Sequence, residues 1–62
     1  MNGSISDDEK LRCVEREIAM RRSAYPKWIA AGKMKQTKAD REIEVMEAIA
    51  AYYREAIAAV RE

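Results

Sequence analysis

Residues 43–60 read Ile-Glu-Val-Met-Glu-Ala-Ile-Ala-Ala-Tyr-Tyr-Arg-Glu-Ala-Ile-Ala-Ala-Val. On a helix their apolar side chains fall on two adjacent stripes. The first, with Ala39 in front, runs Ala39, Ile43, Met46, Ala50, Tyr53, Ile57, Val60. The second runs Val45, Ile49, Tyr52, Ala56, Ala59. Each advances in alternating steps of three and four, the spacing of a helical seam. One seam serves one partner helix, so two seams require two partners.

Upstream sequence supplies one of them. Ser6 is a suitable N-cap, and Glu9 three residues later completes a capping box. Asp7 and Asp8 suit the positive end of the helix dipole. A first helix therefore starts near Asp7, behind a lead-in over residues 1–5 that contains Asn2, Gly3 and Ser4. Its apolar face is Leu11, Val14, Ile18 and Tyr25, with Glu15, Arg16, Arg21 and Arg22 outside it or at its edge. Glu17 and Arg21 stand four apart in the favourable acid-before-base order. Pro26 removes a backbone donor and disfavours helical geometry at Tyr25. The expectation is a break or kink there: a helix over about 7–24, then a short one over about 26–31 ended by Gly32. Thr37 is the expected N-cap of the second helix, with Asp40 three residues on, although Lys35 could start the helix a little earlier. That helix runs over about 37–61 without glycine or proline. The expected fold is all-α: one antiparallel two-helix hairpin spanning 1–62.

The first helix is too poor in apolar residues to cover both stripes of the second. At 62 residues the chain is marginal as a monomer and needs a disulfide, a metal or a partner. Cys13 is the only cysteine and there is no histidine, so neither an internal disulfide nor a Cys/His zinc site can form. Self-association remains. The expected dimer interface is Val45, Ile49, Tyr52 and Ala56, with two hairpins making a four-helix bundle.

The same composition bears on function. Catalysis needs a nucleophile, a base and an orienting group in one pocket, and a histidine-free hairpin offers poor material, so no enzymatic role and no cofactor are expected. The start of the chain is polar and acidic, without the features of a signal peptide. No apolar run approaches the roughly 20 residues of a membrane span. The expectation is a soluble cytoplasmic protein.

Charge is unevenly spread although the net is only +1. Residues 21–38 carry Arg21, Arg22, Lys27, Lys33, Lys35 and Lys38 and no acid, while acids outnumber bases on either side. Two readings of this basic turn arise. In the first, Tyr25 and Trp28 anchor a protein partner while Arg21, Arg22, Lys27 and Lys33 form a basic rim, since Trp, Tyr and Arg dominate interface energetics. In the second, Lys35, Gln36, Lys38 and Arg41 at the start of the second helix bind nucleic acid. Near-neutral net charge and the dipole preference for cations at a helix end weigh against the second. A third possibility is a purely structural self-assembly protein, in which Trp28 closes the end of the hairpin.

The segment from Glu15 to Tyr53 resembles small, mostly uncharacterised helical proteins of bacteriophages and prophages. The matching residues are Glu15-Arg16-Glu17, Tyr25-Pro26, Trp28, Ala31-Gly32-Lys33-Met34, Ala39-Asp40-Arg41-Glu42, Met46-Glu47-Ala48-Ile49 and Tyr53. The resemblance implies an accessory protein acting in the bacterial host cytoplasm. In size and make-up the chain is also similar to phage inhibitors of host regulators, such as quorum-sensing anti-activators. The function expected from all this is binding and inhibition of a bacterial host protein, without catalysis.

Overall fold

The computed structural model describes residues 4–61. It contains two helices, α1 (Asp7–Ala30) and α2 (Gln36–Arg61), joined by a turn over residues 31–35. The helices pack against each other as an antiparallel hairpin. The register is fixed by side-chain contacts between them: Lys10 lies over the Tyr53 ring, Glu15 pairs with Arg54 and Arg22 with Glu47. Principal extents of 45 × 25 × 13 Å describe a single layer of helices.

Local chemistry sets three of the four helix ends. Ser6 is extended and its Oγ accepts from the Glu9 amide at 3.1 Å, as expected of an N-cap. Three acids follow it in the first turn. At the other end of α1 the chain leaves through Gly32, whose φ of +76° an L side chain adopts only at a cost. There the Lys33 amide donates to the Trp28 carbonyl at 2.8 Å, and the Gly32 amide to the Ile29 carbonyl at 3.0 Å. This pair of bonds is the Schellman closure, which satisfies carbonyls that the helix end would otherwise orphan. The start of α2 differs from expectation. Thr37 lies inside the helix, and the first turn is closed by the Ala39 amide donating to the Lys35 carbonyl at 3.0 Å.

The helix break expected at Pro26 does not occur. α1 is one helix from Asp7 to Ala30 with Pro26 inside it, so there is no end near Ala24 and no separate short helix over 26–31. The physical reason is tertiary. Pro26 itself is exposed, at an open groove between the helices. The residue before it, Tyr25, is only 7% exposed and is held in helical geometry by its packing. Of the lead-in expected over 1–5, residues 1–3 lie outside the described residues; Ser4 and Ile5 precede α1.

The core is thin. Ile18 and Tyr25 of α1 and Ala39 and Ala50 of α2 are buried, and Ala50 is 0% exposed. Leu11, Val14, Ile43, Met46, Tyr53 and Ile57 are half-buried around them. This is the first stripe of α2 facing the apolar face of α1, as the spacing requires. The alanines at the centre of the seam let the two backbones approach closely.

Candidate partner-binding surface

The two flanks of the hairpin seam differ in chemistry. One flank is laced by ion pairs between the helices. Arg22 Nη2 reaches Glu47 Oε2 at 2.5 Å, and Arg54 Nη2 reaches Glu15 Oε2 at 3.0 Å. Both pairs are exposed, and such pairs contribute about 0.2–1 kcal/mol each. The other flank carries most of the exposed apolar side chains. On α2, Val45, Ile49 and Tyr52 are 46%, 38% and 68% exposed. On α1, Met20 and Trp28 are 56% and 48% exposed. Ile49 shares an open groove with Val14, Cys13 and Tyr53. Met20 and Trp28 share another with Arg21 and Glu42, and Glu42 is two turns before Ile49 on the same side of α2.

Between these apolar areas the flank is polar. Arg21 is the hub: its Nε donates to Glu17 Oε1 at 3.1 Å, and its Nη1 donates to Glu42 Oε1 and to the Tyr25 hydroxyl, both at 3.3 Å. Lys38 adds a contact to Glu42 at 3.7 Å. The hydrogen bond to Glu17 raises the Arg21 pKa above its ordinary value; desolvation opposes this and Tyr25 adds to it. The guanidinium is thus a fixed cation tying α1 to α2.

This arrangement sorts the candidate residues. Tyr25 is in the core, so it cannot anchor a partner; it supports Trp28 instead, with ring centroids 5.6 Å apart in a tilted pair. Arg21 and Arg22 are engaged in clamping the two helices. Trp28, Lys27 and Lys33 stay on the surface. Trp28, Lys33, Met34, Lys35 and Lys38 line an open groove at the turn. Met20 and Met34 extend the apolar area around Trp28. The sequence reading does not single out Met20, although Met20, Ala24 and Trp28 repeat every four residues along one side of α1.

The residues of the nucleic-acid alternative are mostly matched by acids of their own helix. Gln36 donates to Asp40 at 2.9 Å, Lys38 pairs with Glu42, and Arg41 reaches Glu44 at 3.2 Å. Lys35 is exposed, and among the described residues it forms no ion pair within 4 Å, like Lys27 and Lys33. Arg12 and Arg16 near the other end of the hairpin are likewise exposed without an ion pair among the described residues, so Lys33 and Lys35 beside Trp28 are one of two places where unpaired cations lie. The residues of the expected dimer interface, Val45, Ile49, Tyr52 and Ala56, lie together on the apolar flank, with Ala56 half-buried. Cys13 is exposed. No group of three or more metal-capable side chains gathers among the described residues, and no helix there is long and apolar enough to cross a membrane.

By class the molecule is an antiparallel helical hairpin with inter-helix ion pairs on both sides of its seam and most of its exposed apolar side chains on one of them. No protein family matches this chain, and no curated protein or solved structure is significantly similar to it.

Proposed function

We propose that this chain is a non-enzymatic protein-binding module that docks its partner through the turn end of the hairpin. The observation that carries this reading is Trp28. It stands 48% exposed near the end of α1, beside Met20 and Met34 and next to Lys33 and Lys35, which form no ion pair among the described residues. An exposed tryptophan flanked by methionines has the composition of an interface anchor, and the lysines around it add positive charge at its edge. It suits a partner that offers an apolar pocket edged by carboxylates. The mechanism is steric: the bound tip occupies a surface that the partner needs for its own work.

The finer reading is a phage-type accessory protein that inhibits a bacterial regulator. Its support is the resemblance over Glu15–Tyr53. The test is co-purification from bacterial lysate with the wild-type chain and Trp28→Ala side by side, each with and without nuclease. A discrete bacterial protein that survives nuclease and is lost with Trp28→Ala is the expected result. Identical capture by both chains refutes the Trp28 site. Material that disappears on nuclease treatment replaces it with nucleic-acid binding.

A further inference from the structure

We infer that a second copy of this chain covers the apolar flank, through an antiparallel two-fold pairing of α2 with α2 centred between Ala50 and Ala51. The inference is independent of the Trp28 site. Its first support is surface area. A folded monomer of 7.1 kDa exposes about 4,100 Å². This hairpin exposes 4903 Å². The excess is roughly 800 Å², which is about the area each partner buries in a standard stable interface. The molecule is also one helical layer thick, whereas stable domains are built from at least two layers. A second hairpin supplies the missing layer.

The second support is the stripe's symmetry. Val45, Ile49, Tyr52 and Ala56 are placed symmetrically about the point midway between residues 50 and 51. An antiparallel two-fold therefore sets Ile49 against Tyr52 of the second copy and Val45 against Ala56. Each large side chain meets one it can pack beside, and the same patch serves both protomers, as an isologous interface requires. The α1 side of this flank is interrupted by Lys10, Glu17 and Arg21, so α2 alone offers a continuous strip.

The helix dipole favours the antiparallel direction. The first turn of α2 holds no acid, and an antiparallel pairing sets this positive end beside the negative C-terminal end of the second α2. A parallel pairing sets like ends together.

Two measurements test the pairing on the full chain. The first is sedimentation equilibrium over a wide dilution series. Wild type is expected at twice the protomer mass, with Tyr52→Glu and Ile49→Glu each shifting it to protomer mass or to a concentration-dependent loss of helix. Tyr52 is the more decisive site, because at 68% exposure its substitution costs the isolated hairpin little. The second is the distance between spin labels on Thr37→Cys in a Cys13→Ser background. Antiparallel pairing places the two labels 27 residues of helix apart, about 40 Å along the axis. A wild type at protomer mass with full helix content overturns the inference. So does a dimer that tolerates Tyr52→Glu and Ile49→Glu, or a label distance under about half of that span.

Discussion

Ala50 is the point at which the thin core is most sensitive. It is 0% exposed at the centre of the seam, while its neighbour Ala51 is exposed. Replacing each by glycine separates burial from helix propensity. Ala51→Gly loses propensity alone, about 1 kcal/mol. Ala50→Gly loses the same and also a buried methyl, about 0.8 kcal/mol more, so its total is about 2 kcal/mol. In a domain of this size each kcal/mol moves Tm by about 4–8 °C. Ala50→Gly is therefore expected to lower Tm by about 8–16 °C and Ala51→Gly by about half as much. Ala50→Leu is the complementary change. It forces the helices apart and costs about 1–3 kcal/mol, whereas Ala51→Leu is near neutral. The assay is thermal melting by far-ultraviolet circular dichroism at one fixed protein concentration, since association raises apparent stability. Equal losses for the two glycine variants, or a stabilising Ala50→Leu, would show that the helices do not meet closely at Ala50.

Pro26→Ala restores the donor for the Arg22 carbonyl in a helix that is already continuous, and is expected to stabilise the chain by up to about 3 kcal/mol. A lower Tm for that variant contradicts a helical Tyr25–Pro26 step. Gly32→Ala meets nothing within 4 Å of the added Cβ, so its cost is that of the left-handed backbone alone, about 1–2 kcal/mol in urea melts; no loss would mean that the turn is built otherwise. Trp28 fluorescence is expected to be red-shifted and readily quenched by acrylamide in the free protein, and a blue-shifted, protected signal would put the ring in an interior. A double-mutant cycle on Arg22 and Glu47 is expected to give a coupling of about 0.2–1 kcal/mol that shrinks with salt; zero coupling in dilute buffer would remove this clamp.

Features governed by a few neighbouring residues were legible in the sequence. The Ser6 cap, the Gly32 exit and the division of α2 into an inner and an outer stripe all follow from local spacing. No helix end forms near Ala24, because the rule against helical geometry before proline is local and the burial of Tyr25 against α2 outweighs it. Of the two starts open for α2, the earlier one at Lys35 holds and Thr37 is not the cap, because the Lys35 carbonyl closes the first turn. The candidate site was only half legible. Tyr25 belonged both to the apolar face of the first helix and to the aromatic cluster; only the packing of the two helices decides between these roles. Arg21 and Arg22 look like free cations in a run without acids. Their partners Glu42 and Glu47 lie 21 and 25 positions away, and the register between the helices is not written in either one alone.

Trp28 lies at the turn, level with Lys38 and far from the midpoint of the α2 stripe. In the antiparallel pairing the two Trp28 side chains lie toward opposite ends of the assembly. The assembly then carries two tips, facing away from each other and separated by roughly 40 Å of helix. Such a molecule is bivalent. A target with its own two-fold symmetry and a matching span is gripped twice, and the second contact forms at the high effective concentration set by the first. Two modest contacts can in this way act as one strong one, and a single-site target does not share that gain.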